Sequence, residues 1–193
     1  MKLLRNIREM FPAEYPVVRC IYCYAIWQDD YDVIESELPF VSFHQGLPGE
    51  DVINALTEER KHTMVILDDL MSEVSNSAYI ASLFTRGAHH LKCSVLNIVQ
   101  NLFPKSSHSR TMNLNSQYTI CMKSPRAMQQ IKTLAIQLEG NSNICEAYRD
   151  VCQERFAYLI IDTHPNSEPK YSLRTRVFPG ESETVIYMRK NQS

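Results

Sequence analysis

Short apolar runs alternate with amphipathic stretches along the chain, and the alternation predicts strands separated by helices. Lys2–Met10 carries Leu3, Leu4, Ile7 and Met10 at helical spacing, and Pro12 stops it. No N-cap precedes that helix, so it reads as the continuation of an earlier element. Val17–Trp27 is dense in β-branched and aromatic residues and reads as a strand, followed by a short one at Pro39–Phe43. Gly46, Pro48 and Gly49 make a loop, and Glu50–Glu59 a short helix with acids near its start. A helix running to about Arg86 shows Tyr79, Ile80, Leu83 and Phe84 on one face, with Gly87 as its C-terminal cap.

The second half continues the pattern. Cys93–Val99 predicts a strand, Pro104–Arg110 a polar, basic loop, and Gln117–Met122 another strand. Pro125 and Arg126 open a helix to Leu138, and a second helix covers 144–155. Phe156–Ile161 and Leu173–Phe178 are the last predicted strands, and Glu181–Ser193 reads as a polar tail. Strands alternating with helices predict an α/β protein with one mostly parallel sheet covered on both faces. The expected partition is a single domain over 1–180 and a tail over 181–193.

One stretch stands out, KHTMVILDDLM at Lys61–Met71. Four apolar residues, Met64 to Leu67, lead into Asp68 and Asp69. A short all-apolar run suits a central strand of a parallel sheet. Open α/β sheets bind ligands at the C-terminal ends of such strands. Mg²⁺ takes one or two carboxylates together with phosphate oxygens. An apolar strand ending in Asp-Asp thus has the form of a Walker B element, with Asp68 for Mg²⁺ and Asp69 for the attacking water. Acidic strand ends also arise simply because Asp suits turns and helix caps. The next strand ends at Gln100, where an amide can hold a γ-phosphate or a water. Asp162 ends a later strand and, in a single parallel sheet, shares that edge.

Composition narrows the partners. The 193 residues are 44% hydrophobic and 22% charged, with a net charge of −2, an ordinary globular mix. The chain is no polycation, so any nucleic-acid contact must be local. No apolar run approaches the length of a membrane span, and the opening residues do not resemble a signal peptide. Of the six cysteines, Cys20 and Cys23 form a CxxC. No second pair completes a zinc set, and residues three apart on a strand point to opposite faces. Reduced thiols point to an intracellular protein, nuclear or cytoplasmic.

Arg86, Arg110 and Arg126 are candidate phosphate or DNA contacts; Arg126 opposes the dipole of the helix it opens. His89 and His90 suit a helix-end role. The decisive negative is the phosphate loop. GxxxxGK[ST] needs glycines for close backbone approach and a Lys for the phosphates. The five glycines are Gly46, Gly49, Gly87, Gly140 and Gly180, and none precedes Lys.

Taken together, VILDDLM, LFTRGAHHLKCSVLNIVQNLFP, NLNSQYTICMKSPRAMQQIKTLA, FAYLIIDTHP and LRTRVFP resemble FtsK/HerA-type DNA-packaging ATPases. The resemblance is to those of Polinton (Maverick) elements and related double-stranded DNA viruses, over about 1–179. It implies a three-layer, P-loop-NTPase-like fold, here with the first strand and the P-loop missing. It also implies Mg²⁺ and ATP as cofactors, and double-stranded DNA and further copies in a ring as partners. By the same resemblance Asp68 matches the Mg²⁺-binding acid, Asp69 the catalytic acid and Gln100 the sensor. Arg126 and Arg110 are candidates for the arginine finger. Without the phosphate cradle, little hydrolysis is expected from these residues alone. Two rivals stay open: a non-enzymatic interaction module, and a metal-dependent nuclease using Asp68, Asp69 and Asp162.

Overall fold

The structure, a computed structural model, describes residues 1–58, 61–138 and 142–188, without the side chains of 58, 88–90 and 142. The chain forms two compact units, Met1–Asn115 and Ser116–Ser193.

The first unit is built on a four-stranded parallel sheet: β1 (Arg19–Tyr24), β2 (Val41–Gln45), β3 (Thr63–Asp68) and β4 (Cys93–Ile98), in the order β2-β1-β3-β4. Alternating side chains divide its core in two. Cys20, Tyr22 and Tyr24 of β1 and Met64 and Ile66 of β3 face one way. They pack with Leu4 and Ile7 of α1 (Lys2–Met10) and with Tyr31 and Ile34 of α2 (Asp30–Glu37). Ile21, Cys23, Val65 and Leu67 face the other way. They meet Ile53 of α3 (Glu50–Glu58), Val74 of α4 (Met71–Asn76) and Ile80 and Ala81 of α5 (Ala78–Ser82). Met112 of α6 (Ser107–Asn115) completes that side. Burial on both faces is why Met64 to Leu67 show no polar alternation.

The second unit holds a separate antiparallel sheet, β5 (Tyr118–Met122), β6 (Tyr158–Asp162), β7 (Leu173–Thr175) and β8 (Val185–Ile186), in that order. One face packs on α7 (Met128–Gln137) and α8 (Ser142–Val151) through Cys121, Leu159, Ile161, Leu173, Ile131 and Tyr148.

The expected α/β architecture with a parallel sheet is present. The single sheet is not: β5, β6 and β7 pair antiparallel in a sheet of their own. Apolar strand content does not encode direction, so the sequence pattern could not separate the two. Helix α2 was not anticipated because it buries only Tyr31 and Ile34 within an acidic stretch. Of the expected loop at 104–110, residues 104–106 are loop, and from Ser107 the chain is helical as α6, which buries just Ser109 and Met112. Gly87 is not a terminal cap. It lies inside a π-helical run, Leu83–Leu91, that ends at Lys92 with φ 48°. Val185 and Ile186, read as tail, pair with β7.

Candidate functional site

The chain leaves β1 toward α2 on one face of the parallel sheet and leaves β3 toward α4 on the other. Adjacent parallel strands whose connections diverge in this way open a crevice at their C-terminal ends, the usual ligand site of open α/β sheets. Asp68 is the last residue of β3, in register with Tyr24 of β1 and Ile98 of β4.

Asp68 is half-buried. The Tyr22 hydroxyl donates to its Oδ2 at 2.6 Å. Burial first, then that hydrogen bond, pushes the Tyr22 phenol far above its ordinary value, so it stays protonated and donating. Tyr31 is fully buried and its hydroxyl has no hydrogen-bond partner among the described residues. Burial and the nearby Asp68 charge raise its phenol too. The Tyr31 ring stacks on Phe43 at 4.6 Å and 20°, and Tyr22 packs against both, at 5.4 and 5.3 Å. Trp27, from the loop after β1, meets Tyr24 and Tyr31 edge-on at 5.4 and 5.3 Å.

Asp69 takes a left-handed conformation, φ 55°. Aspartate is among the few side chains that tolerate it, and such residues cluster where geometry serves function. The turn sends Leu70 into the core and leaves Asp69 exposed. Gln100 lies just past the end of β4 and its Nε2 donates to Asp69 Oδ1 at 3.4 Å. The structure therefore brings Asp68, Asp69 and Gln100 to one edge of one sheet.

Asp162 does not belong to that sheet. It ends β6, in the other unit and the other sheet, and is buried. Its Oδ1 accepts from the His164 backbone N–H at 3.0 Å. Its Oδ2 accepts from Ser167 at 3.0 Å and from Arg174 at 2.5 Å. Those partners make it a structural carboxylate that ties β6 to β7. The nuclease alternative thereby loses its third acid, and among the described residues no three His, Cys, Asp or Glu converge on a metal position.

A divalent cation of the Mg²⁺ kind does not require three protein acids, because it keeps waters and takes phosphate oxygens. The donor set fits that style of binding. Oδ1 of Asp68 and Oδ2 of Asp69 make no hydrogen bond to a described residue.

Arg110 lies in α6 and Arg126 in the turn before α7; both are exposed and neither pairs with a described acid. The side chains of His89 and His90 lie outside the described residues. Cys20 and Cys23 belong to opposite cores of the first unit, as their spacing predicts. A cleft of about 480 Å³ opens at the other end of β1 and β2, lined by Arg8 and Arg19. Arg8 covers the Phe40 ring at 3.9 Å and donates to the Val17 carbonyl, and Arg19 donates to that of Leu56, so both guanidinium groups are engaged.

What the sequence reading missed is the aromatic support of Asp68. Tyr22 precedes Asp68 by 46 positions, and only parallel pairing of β1 with β3 brings them together. The density of aromatics in Cys20–Tyr31 was the available signal. No described helix is long and apolar enough to cross a membrane. Comparison with protein families, with curated proteins and with solved structures returns no match.

Proposed function

We propose that Asp68, Asp69 and Gln100 are the acid-and-amide half of a nucleotide-hydrolysing site, in a chain allied to FtsK/HerA-type DNA-packaging motors. One observation carries this: two adjacent acids and an amide from neighbouring parallel strands share a single rim, with Gln100 bonded to Asp69. In that role Asp68 holds Mg²⁺ through its open oxygen. Asp69, exposed and held by Gln100, orients the attacking water, and Gln100 faces the terminal phosphate. Arg110 and Arg126 are the candidates for a charge supplied across a ring of copies, and double-stranded DNA is the cargo. Bound Mg-ATP supplies the phosphoryl group and the charge that these side chains position and balance.

The 193 residues hold no GxxxxGK[ST] loop. Alone they should bind Mg-ATP weakly and turn it over little. The test is calorimetry and phosphate release on this chain and on a version with a strand and a GxxGxGK[ST] loop joined ahead of Met1. The joined protein should bind Mg-ATP, and Asp69→Asn in it should lower turnover at least a hundredfold while leaving binding in place. A joined, folded protein that neither binds nor hydrolyses ATP overturns the proposal.

A second reading, a non-catalytic interaction module, is favoured by β4, which pairs on one side only among the described residues. A free strand edge is a template for another chain. That module predicts a discrete oligomer by light scattering together with no nucleotide affinity in either protein.

A further inference from the structure

We infer that Tyr22 is the positioning residue of this site: its hydroxyl fixes Asp68 Oδ2 so that Oδ1 alone is presented to a divalent cation. The inference rests on the metal role proposed for Asp68 and names the group that role depends on.

Three observations lead there. The hydrogen bond is short, 2.6 Å, and joins β1 to β3 across the crevice where their connections diverge. The Tyr22 ring cannot swing away easily. It is 6% exposed and held between Tyr31 and Phe43, whose own rings are stacked. Finally, the Tyr31 hydroxyl is buried beside this pair with no hydrogen-bond partner among the described residues. A buried polar group without a partner is costly. Here it leaves one more donor next to the carboxylate, available if Asp68 shifts on taking up a cation.

The chemistry is that of outer-shell control. A carboxylate free to rotate can bind bidentately, bind through either oxygen, or turn away. A carboxylate with one oxygen already bonded is fixed about its terminal torsion and turns its other oxygen outward. Outer-shell partners of this kind change metal affinity by about 10–100-fold when removed. Asp69 has the contrasting environment: exposed, in a left-handed conformation, and held among the described residues by a 3.4 Å contact from Gln100. The two adjacent acids are thus built differently, one braced and one adjustable, which suits one as a fixed ligand and the other as a group that moves with water.

The experiment is Mn²⁺ binding to the full chain, read by the electron paramagnetic resonance of free Mn²⁺ up to millimolar concentration. It compares wild type, Tyr22→Phe, Asp68→Asn and the double variant, with circular dichroism melts on each. Tyr22→Phe keeps the ring and its packing. It should weaken Mn²⁺ binding about 10–100-fold with the fold retained. Asp68→Asn should abolish that binding, and Tyr22→Phe should then add nothing further. Wild-type affinity in Tyr22→Phe overturns the positioning role and leaves the metal role of Asp68 intact. Binding that is unchanged by Asp68→Asn, or absent from wild type, overturns both. Should Tyr22→Phe unfold, Tyr22→Met takes its place. Phe43→Leu is the packing control: it loosens the same ring stack and leaves the Tyr22 hydroxyl, so equal Mn²⁺ loss in Phe43→Leu and in the Tyr22 variant overturns the inference.

Discussion

At the residue scale the chain shows how burial sets chemistry. The Cys20, Cys23, Cys93 and Cys121 thiols are buried, and burial pushes each up to about 12. In the unfolded chain a thiol ionises near about 8.5. Between those values the folded state holds protons that the unfolded state has lost. The contribution of these groups to stability is therefore complete below about pH 8.5 and drains away as pH rises toward 12. Urea denaturation should show a falling midpoint from about pH 9 upward. At pH 8 a disulfide reagent should label Cys145 and Cys152, which are partly exposed, well before the four buried thiols. Rapid labelling of all six in the native protein would contradict the burial described. Asp162 and Asp68, both strand-ending acids, differ in their surroundings. Asp162 has both carboxylate oxygens engaged by its own unit, whereas Asp68 has one oxygen braced and one without a partner among the described residues.

At the element scale, local signals worked where periodicity was strong and failed where it was thin. Helix α1, with Leu4 and Ile7 buried, and strand β3 were legible, because each exposes a clear contrast to one face or to none. Helices α2 and α6 were not, because two buried side chains in a polar segment give no repeating stripe. Helix α5 depends on a local device instead. The Ser77 hydroxyl accepts from the Ile80 backbone N–H at 3.1 Å, capping a helix whose Ile80 and Ala81 are buried in the core beside β3. Ser77→Ala should cost about 1 kcal/mol of unfolding free energy and Ser77→Asp should recover most of it. A urea titration in which both variants match wild type would show the cap to be dispensable.

At the scale of the whole molecule, the three apolar clusters respect one boundary. Two of them draw only on residues up to Met112, and the third only on residues from Cys121 onward. A segment that contains both faces of its own sheet's core has what it needs to fold alone. Residues 1–115 expressed by themselves should keep α/β circular dichroism and unfold in one cooperative transition. A non-cooperative melt of that segment would show that its stability depends on residues 116–193. The proposed acid-and-amide site, with its tyrosine brace, lies wholly within 1–115. The Mn²⁺ response of Asp68 should accordingly survive in the segment.

The amino-acid order alone determined the α/β class, the apolar run of Met64 to Leu67, and the place of Asp68, Asp69 and Gln100 at the ends of consecutive strands. Those features are written in local periodicity, which any chain displays before it folds. Tertiary structure alone decided that β5, β6 and β7 leave the parallel sheet, because strand direction follows from pairing and not from side-chain pattern. It likewise put Asp162 in the other sheet and set Tyr22 against Asp68. Both outcomes turn on which strands become neighbours, and hydrogen bonding between distant strands settles that only once the chain has closed on itself.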